Sequence, residues 1–486
     1  MKSQLKRRAP GLAQLIAAPV IFNMLVSMPV SAQQQSLLTL NDYLNQVEKH
    51  NDAFQRSSRA EKGLELRSDE WRLMTTPYLF GTAQMGSDKR EQSSPTIMGN
   101  ETATKVYSLG FAQKTTFGLD AKLYYQYVDT EIVGANPQFI NPSHFYTTGP
   151  VLELTQSLWR NGFGSETKAA IEAKEADIQA QRFTEQYTQI QLRQAAENAY
   201  WRLAVAREAL VAAKENLDRT KKGRNWTAER VRLNLADRSD LLQQDAAVAA
   251  RQIELQQAEM EETAAARAFN TMRGVNSDTV PEKLQPITDD LIKSLRVPER
   301  KDKRADVKAA EAQVRAAQAS SRLGLEAAKP TLEAFLTAGL NGRDADSGAA
   351  ISESFGTEHP NYTIGVRLNI PLNQSLASRV REGYQAAAES AEMAFRRKAF
   401  EADREWADLV QRLEESKRNL EIARKLEQVQ KAKLDAERAR LSRGRTTTYQ
   451  VIMFESDYAN AQLNRIRLAQ QVLAIYSQLK TFGGKQ

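Results

Sequence analysis

Residues 362–372 read YTIGVRLNIPL, and apolar side chains alternate along this stretch with small or polar ones. Tyr, Ile, Val, Leu, Ile and Leu occupy the even positions, whereas Thr, Gly, Arg, Asn and Pro occupy the odd ones. Strict alternation predicts a β-strand with one apolar and one polar face. Directly after it, residues 374–441 contain one glycine and no proline and are rich in strong helix formers. At 1.5 Å per residue, this composition predicts an uninterrupted helix roughly 100 Å long.

The same construction occurs earlier in the chain. Residues 151–158 alternate again, and a helical composition then runs through residues 165–232. An echo lies near the end of each helix, because residues 228–233 read AERVRL and residues 436–441 read AERARL. We therefore expect two copies of one unit, offset by about 210 residues, each with strands, a long helix, a break and a returning helix.

The repeat defines the predicted domain organisation. A signal peptide at 1–32 precedes a first repeat at 33–274, and a linker or equatorial region at 275–303 precedes a second repeat at 304–486. The first repeat is expected to contain a helix at 39–74, strands within 78–158, a long helix at 165–232, a tip at 233–240 and a return helix at 240–273. The second is expected to contain a helix at 304–329, strands within 331–372, a long helix at 374–441, a tip at 442–446 and a return helix at 447–480.

Helix lengths predict how these elements stack. Each return helix is about half as long as the outward arm beside it, so a second short helix must continue it. The helices at 304–329 and 39–74 have suitable lengths, and both linkers would then lie at one height and form a waist. Thr39 with Asp42 at N3 predicts a capping box for the first helix. Ser239 or Asp240 can cap the first return helix.

The N-terminus has the three parts of a secretory signal peptide. Residues 12–28 are mostly apolar, and Val30-Ser31-Ala32 fits a small-x-small cleavage site, so we expect cleavage after Ala32. A buried N-terminal helix is the alternative interpretation of the apolar stretch. The basic n-region consists of Lys2, Lys6, Arg7 and Arg8.

Composition limits the classes of function. Removal of residues 1–32, which carry four basic and no acidic residues, lowers the net charge from +7 to +3. Charges of both signs are interspersed along the helices, as on any solvated helical surface, so we expect no nucleic-acid partner. The chain has no cysteine, which excludes disulfides and an N-terminal lipid-modified cysteine. No apolar stretch of about 20 residues follows the N-terminal segment, so no helical membrane span is predicted in the mature chain.

The predicted strands need partners beyond one chain. Segments of about ten residues with an apolar outer face and a polar inner face are typical of transmembrane barrels. Four to six such strands are too few for a pore, because single-chain barrels have at least about eight, so several chains must share one barrel. On this parity Glu153 and Arg367 face the barrel lumen, whereas Leu154 and Ile364 face lipid. The candidate strands lie at 78–85, 107–112, 119–127, 151–158, 332–340 and 362–372.

Short motifs resemble the TolC family of outer-membrane efflux and secretion channels over nearly all of the mature chain. They are Leu38-Thr39-Leu40 near the mature start, LTQSL at 154–158, LNIPL at 368–372 and the two helical breaks. The resemblance implies an α+β membrane channel with an internal two-fold repeat. It implies a homotrimer in outer-membrane lipid of a Gram-negative bacterium, with a shared transmembrane β-barrel and a long periplasmic α-helical barrel. The family has four strands per chain, and six candidates here leave the strand number open.

The resemblance also implies the function. The chain would be the outer-membrane exit duct of a tripartite efflux or type I secretion system, without catalysis or cofactor. It would passively conduct substrates delivered by an inner-membrane pump or ABC exporter through a periplasmic adaptor. A periplasm-spanning coiled-coil tether without a conducting lumen is the alternative. An enzyme is disfavoured, because no nucleotide or metal spacing occurs and the histidines, His50, His144 and His359, lie in unrelated segments.

The two helical breaks are the implied adaptor-docking tips. Leu233-Asn234-Leu235 stands where the family carries Val-Gly-Leu, and Asn tolerates the positive φ of such a turn. Aligning Asn234 with Gly444 gives an offset two residues larger than the AERxRL echo, so the register between the repeats stays open. A role in forming the turns alone is the alternative for these residues. The expected docking residues are Asn234, Leu235, Asp240, Arg443, Gly444 and Arg445.

A closed helical tube narrows where three copies of each tip meet. Some family members carry aspartates after the second tip, but this sequence has Gln450 and Met453 there. Asp457 lies four residues beyond Met453 and therefore shares its helix face. We expect a periplasmic gate held shut mainly by packing and by hydrogen bonds from Gln450, with only a weak cation site at Asp457.

Overall fold

The computed structural model describes residues 37–91, 93–300 and 303–483, so the predicted cleavage site after Ala32 lies outside the described part of the chain. A 3-10 helix covers Glu70–Met74. The helices are α1 Leu40–His50, α2 Asp52–Leu66, α3 Pro95–Met98, α4 Ser165–Arg232, α5 Arg238–Met272, α6 Asp289–Ser294, α7 Ala305–Ala327, α8 Ser347–Glu353, α9 Gln374–Ser442 and α10 Thr448–Lys480. The strands are β1 Leu37–Leu38, β2 Tyr78–Asp88, β3 Gly99–Lys114, β4 Leu119–Ala135, β5 His144–Ser157, β6 Lys283–Leu284, β7 Thr331–Leu340, β8 Gly342–Asp344 and β9 Pro360–Asn369.

One antiparallel sheet joins the strands of both repeats. Its order is β2–β3–β4–β5–β7–β9, and β8 continues beyond the end of β7 along the same strand, β5. The first repeat contributes four of these strands, β2 to β5, and the second contributes β7 to β9. The six alternating stretches of the sequence therefore all lie in one ladder, and the hairpin β3–β4 is the part of the first repeat that the second does not match.

Several strands differ in length from the prediction. Residues 86–88 and 99–106 extend β2 and β3, and residues 128–135 and 144–150 extend β4 and β5, beyond the predicted strands. These extensions are mostly polar, and pairs such as Lys105 and Asp129, 3.1 Å apart, join β3 to β4 without apolar alternation. The strand predicted to end at residue 372 ends at Asn369, because Pro371 has no amide hydrogen to donate to a ladder.

The helices form long antiparallel pairs. α4 and α9 contain 68 and 69 residues, so each is roughly 100 Å long. α5 returns along α4, and α10 returns along α9. Nearer the sheet, α7 packs against both α4 and α9, and α2 lies along α4. Among the described residues, no helix combines the length and the apolar character needed to cross a membrane.

The single helix predicted at residues 39–74 is wrong, because the chain breaks at Asn51 and again after α2. Asn51 has an extended backbone with ψ 116°, and its side chain accepts a hydrogen bond from the backbone N–H of Phe54 at 3.0 Å. Its Nδ2 donates to the carbonyl of Met272 at 2.9 Å. The side chain therefore caps α2 and ties the break to the end of α5. At the start of α1, Thr39 Oγ1 accepts from the backbone N–H of Asp42 at 3.2 Å, as predicted for the cap.

The equatorial region holds the largest apolar cluster of the described chain. Part of the predicted linker is ordered there, because β6 pairs in parallel with β1 and α6 follows. Tyr43 stacks on Phe269 with ring centroids 4.0 Å apart, and both side chains are fully buried. Tyr200 donates its hydroxyl to the carbonyl of Leu38 at 2.7 Å and accepts from the backbone N–H of Gln285 at 2.9 Å. The waist is thus a packed core closed within one chain.

Candidate channel surfaces

One face of the sheet is apolar and exposed. A row crosses the first four strands through Leu79, Phe111, Leu123 and Leu152. A second row links Leu154, Leu336 and Ile364 across β5, β7 and β9. Ile364 is 78% exposed. A contiguous apolar surface of this extent indicates contact with lipid or with another protein.

At the edge of the sheet farthest from the long helices, the apolar face gives way to a row of tyrosine rings. A charged cluster follows this row. The next residues on this face are Lys105, Asp129 and His144, and the Asp129 carboxylate lies 3.1 Å from the Lys105 amine and 2.8 Å from His144 Nε2. Tyrosine rings at a change from apolar to charged surface are typical of a membrane interface. The neighbouring rings of the row lie 6.2 and 5.6 Å apart and belong to Tyr107, Tyr127 and Tyr146.

Exposed aromatic side chains also mark the helical end of the sheet. Phe117 lies in the turn before β4, and eight residues separate Leu119 at the start of β4 from Tyr127. For a strand tilted by about 40° this corresponds to about 20 Å along the membrane normal, close to the apolar band of known outer-membrane barrels, about 25 Å high. The exposed aromatic residues at the helical end are Phe117, Trp159 and Phe163.

The opposite face of the sheet is polar and internally paired. Glu153 lies 3.2 Å from the amine of Lys122 and accepts a hydrogen bond from the Tyr124 hydroxyl at 2.9 Å. Arg367 lies 3.6 Å from the carboxylate of Glu333. Glu153 and Arg367, which the sequence analysis assigned to the lumen, therefore share one face, and Leu154 and Ile364 occupy the other. Because opposite charges pair across neighbouring strands, this face carries charged side chains whose charges locally cancel.

The first tip is a Schellman turn centred on Asn234. Asn234 has a left-handed φ of 56°. The backbone N–H of Leu235 donates to the carbonyl of Arg230 at 2.8 Å, and that of Asn234 donates to the carbonyl of Val231 at 3.0 Å. These bonds satisfy carbonyls that the end of α4 leaves without helical partners. Asn234 thus occupies the position that glycine usually holds in this motif.

The second tip repeats this geometry with Gly444, whose φ is 70°. The backbone N–H of Arg445 donates to the carbonyl of Arg440 at 3.0 Å, and that of Gly444 donates to Leu441 at 2.9 Å. The offset between the repeats is therefore the one that aligns Asn234 with Gly444. The AERxRL segments, which match at an offset two residues smaller, are not structurally equivalent.

The caps after the tips differ from the prediction. α5 begins at Arg238 with Asp237 as its N-cap residue, so neither Ser239 nor Asp240 caps it. The left-handed residue has already reversed the chain, and the helix therefore starts two residues earlier than expected. Asp240 lies instead in the first turn of α5, where a negative charge interacts favourably with the helix dipole. In the second tip Thr447 is the cap and accepts from the backbone N–H of Gln450 at 3.3 Å.

The predicted docking residues lie at the two tips. Leu235 is 62% exposed, although it is a large apolar residue. Asp240 is only half-buried, and its backbone N–H donates to the carbonyl of Asp237 at 3.1 Å. The structure thus brings the predicted residues to one end of the helical hairpins. Those that are exposed are Asn234, Leu235, Arg443, Gly444 and Arg445.

The predicted gate residues occupy the first three turns of α10. Gln450 is exposed, and its Oε1 accepts from the Thr446 hydroxyl at 3.4 Å. Met453 is 45% exposed. The Asp457 carboxylate lies 3.5 Å from the amine of Lys433 on α9. Because Asp457 has a cationic partner from its own chain, it is a poorer ligand for a bound cation than a free carboxylate.

Glu455 makes a contact behind the tips that the sequence analysis did not assign. Its carboxylate is almost buried, and it accepts hydrogen bonds from Arg438 on α9 and from the Thr220 hydroxyl on α4 at 3.3 Å. The contact joins the two helical hairpins. One signal for it was available, because Glu455 lies four residues after Val451 and three before Tyr458, both of which are buried.

No group of His, Cys, Asp and Glu side chains suited to a metal ion occurs among the described residues. His144 pairs with Asp129 in the charged cluster at the edge of the apolar face. The surfaces described above are those of a sheet with two unlike faces, two turns at the far end of the long helices and a mostly uncharged stretch of α10 beside the second turn.

Residues 298–485 match the model of the family described as outer membrane efflux protein. No curated protein matches the chain significantly in sequence. Solved structures share its fold over most of their length. The outer-membrane channel OprN is 17% identical with a TM-score of 0.65, covering 92% of this chain and 90% of its own. The outer membrane protein VceC from Vibrio cholerae is 15% identical with a TM-score of 0.65, covering 92% and 96%. The CmeC outer membrane channel of Campylobacter jejuni is 14% identical with a TM-score of 0.64, covering 98% and 94%.

These similarities confirm the TolC-like fold, in which α-helical and β-sheet parts are built from an internal repeat. The family match over residues 298–485 agrees with the class and the outer-membrane location expected from the sequence.

Proposed function

We propose that three copies of this chain form the outer-membrane exit duct of a tripartite efflux or type I secretion system. The duct passively conducts substrates that an inner-membrane pump or ABC exporter delivers through a periplasmic adaptor. The observation that carries the proposal is the direct continuation of a two-faced sheet into two helices of 68 and 69 residues. A sheet with a lipid-compatible face supplies the passage through the membrane, and the helices extend it roughly 100 Å into the periplasm.

The polar face of the sheet lines the lumen in this proposal. Glu153 and Arg367 then face water, and each already has an opposite charge beside it. The apolar face, with Leu154 and Ile364, contacts lipid. Such a lumen carries charges of both signs and therefore does not select strongly for anions or cations.

The tips are the proposed docking site of the adaptor. Leu235 presents an apolar side chain to solvent at the end of the first hairpin, and Arg443 and Arg445 present positive charge at the end of the second. Because both turns are Schellman motifs held by backbone hydrogen bonds, their side chains are not needed to form the turn. Exposed side chains with no part in the turn are available to a partner.

The gate is proposed to lie beside the second tip at Gln450 and Met453. In a trimer these residues form an uncharged ring, which closes by packing and by hydrogen bonds from Gln450. Asp457 lies deeper and is paired with Lys433, so we propose only weak binding of multivalent cations there.

Single-channel recording of the mature protein in planar bilayers tests the duct. A trimer with a lumen gives discrete ion conductance, whereas a structural tether gives none. Trivalent cations added on the periplasmic side should block weakly, and Asp457→Asn should remove this block. Tight block that disappears in Gln450→Ala would contradict the proposed gate.

Docking is tested by reversing the charges of the second tip. The double variant Arg443→Glu, Arg445→Glu should reduce export of a fluorescent efflux substrate at least tenfold, with trimers and conductance unchanged. The matched control reverses Arg396 and Arg397, which are 65% and 80% exposed on the same helix far from the tip. Normal export in the tip variant would contradict the proposed docking site.

A further inference from the structure

We propose that all six strands of the ladder enter the membrane, so that three chains close an eighteen-stranded barrel in which β9 of one chain pairs with β2 of the next. The proposal rests on the shared trimeric barrel proposed above. It adds the number of strands, the edges that meet and the width of the duct at the outer membrane.

The hairpin β3–β4 is an integral part of the sheet. β3 pairs with the whole of β2, from Tyr78 to Asp88, and β4 pairs with β5 from Leu119 to Glu131. The apolar face continues across it, because Phe111 and Leu123 complete the row between β2 and β5. Farther from the long helices, the segment after β8 covers part of this face at Tyr125 and Thr148. Removing the hairpin from the membrane would therefore break two ladders and divide the apolar face.

The second repeat holds the hairpin in this place. The hydroxyl of Tyr125 on β4 donates to Ser354 Oγ at 2.9 Å, and the Tyr125 ring stacks on Phe355 with centroids 5.9 Å apart. Thr148 on the neighbouring strand donates to the carbonyl of Ala350 at 2.9 Å and is buried. The segment after β8 thus covers β4 and β5 together and fixes the inserted hairpin to the rest of the sheet.

The two edges of the ladder are complementary. β2 and β9 end the sheet of the described residues, and in lipid their outer backbone groups need partners. β2 leaves the helical end at Tyr78, and β9 returns to that end at Asn369, so the two edges meet antiparallel in neighbouring copies. Each chain contributes an even number of strands, which an all-antiparallel barrel requires. The apolar face, with Leu79 on β2 and Ile364 on β9, stays outside at the junction.

The width of such a barrel matches the helical tube. Eighteen strands about 4.8 Å apart and tilted by about 40° have a perimeter of about 110 Å. Each chain supplies four helical columns, which are α4, α9, α5 continued by α1 and α2, and α10 continued by α7. Twelve columns spaced about 8–10 Å apart have a perimeter of about 100–120 Å. Twelve strands would give a perimeter of only about 75 Å. Without the inserted hairpin, the barrel would therefore be narrower than the helical tube that continues from it.

Disulfide cross-linking between strand edges tests the pairing, because the chain has no cysteine of its own. Thr82 on β2 and Gln126 on β4 lie in one row of the sheet, both opposite Ser108. Thr82→Cys is combined in turn with Asn361→Cys, Thr363→Cys or Arg367→Cys on β9. The matched control combines Gln126→Cys with the same three positions. At least one Thr82 combination should form intermolecular disulfides in outer membranes, with a ladder that ends at three chains, and the Gln126 set should form none.

Other results would overturn the proposal in distinguishable ways. Cross-links in the Gln126 set would show that β9 closes on β4, with β2 and β3 outside the barrel. A ladder that ends at two chains would give twelve strands. Absence of cross-links in both sets would also overturn the pairing. If trimers without cross-links still conduct ions, the proposed exit duct stands and only the strand pairing fails. Monomers without conductance would contradict both the exit duct and the strand pairing.

A second measurement needs no substitution. Electron microscopy of the unaltered oligomer in lipid nanodiscs should resolve eighteen strands around the pore. Twelve strands would overturn the proposal even if every cysteine variant failed to assemble.

Discussion

The equatorial waist and the membrane sheet make opposite use of similar side chains. At the waist Tyr43, Tyr200 and Phe269 are fully buried by other parts of the same chain. In the sheet Tyr362 and Ile364 are 76% and 78% exposed, although they too are large and mainly apolar. The waist is complete within one chain, whereas the sheet needs lipid on one face and other strands at its edges. Changes at the waist should therefore act on folding, and changes in the sheet should act on assembly.

The largest effect on stability is expected from Phe269→Ala at the waist. Phe269 is fully buried and stacks on Tyr43, so its removal leaves a cavity that costs about 3–5 kcal/mol. The midpoint of thermal unfolding, followed by circular dichroism in detergent, should fall strongly. The control Phe139→Ala removes a ring that is 66% exposed, and it should change stability by less than about 0.5 kcal/mol. Similar losses in both variants would show that the waist is not the stabilising core.

The next largest effect is expected from Ile364→Arg in the sheet. An arginine on the lipid side of a barrel costs about 2–4 kcal/mol near the middle of the membrane, so trimer yield on unheated gels should drop. The matched change Arg367→Ser on the other face of the same strand should leave the yield near that of the unaltered chain. Equal losses would contradict the assignment of the two faces.

A buried ion pair at the waist provides a pH-dependent test. Asp306 lies 2.7 Å from Arg304 Nε and 3.2 Å from the amine of Lys398, and Asp306 and Arg304 are both buried. Burial opposes ionisation, but hydrogen bonds from Arg304 and Lys398 outweigh it and hold the pKa of Asp306 below its usual value. Asp306→Asn leaves Arg304 with Glu405 alone and should cost about 2 kcal/mol at neutral pH, less than full loss of a buried partner.

The sign of the pH dependence follows from the lowered pKa. A carboxylate whose pKa is depressed by folding stabilises the protein above its unfolded pKa, about 3.9, and loses this contribution as the pH falls through its folded value. The difference in unfolding midpoint between the unaltered chain and Asp306→Asn should therefore narrow below about pH 4. A difference that stays constant through that range would exclude a role for the Asp306 charge.

The smallest effect is expected at the two tips, where the same turn is built with different residues. Gly444→Ala places a side chain in a left-handed conformation and should cost about 1 kcal/mol. Asn234→Ala should cost less, because asparagine already bears part of this strain. Nothing lies within 4 Å of a Cβ at Gly444, so the cost is conformational rather than steric. The midpoints of thermal unfolding of the two variants in detergent check which substitution destabilises more. A larger fall in the midpoint for Asn234→Ala would show that the Asn234 side chain has a further structural role.

Elements set by local pattern were predictable from the sequence. The alternation around Ile364 and Leu154 indicated strands with two unlike faces, and the composition of residues 165–232 indicated the long helix α4. Where the local signal was ambiguous, the prediction failed. Asn51 has no helix-breaking character comparable to proline, and its break depends on a bond to Met272. In the halves of β3 and β4 that lie away from the long helices, most of the paired side chains are polar. No apolar alternation therefore predicted these strand residues.

The positions of the candidate site residues were predictable from the sequence, but most of their contacts with other helices were not. The two helical breaks located both tips, but the echo AERxRL suggested a register that the Schellman turns at Asn234 and Gly444 replace. Asp457 was found by its helix spacing, whereas its partner Lys433 lies on another helix. Glu455 joins three helices and was identifiable only as an acid on a buried face.

The sequence by itself determined the local elements, the two faces of each strand, the repeat and the places where the helices reverse. These features depend on side-chain periodicity and backbone preference over a few residues, which the order of residues in the chain sets directly. Only the tertiary structure decided that the hairpin β3–β4 lies inside one continuous ladder and that the waist closes within a single chain. Those outcomes rest on contacts such as Tyr125 to Ser354 and Asn51 to Met272, which join residues more than 200 positions apart. No local pattern predicts such a pair, because each of these side chains could form an equivalent hydrogen bond with many other groups. Only the folded chain brings the two partners together.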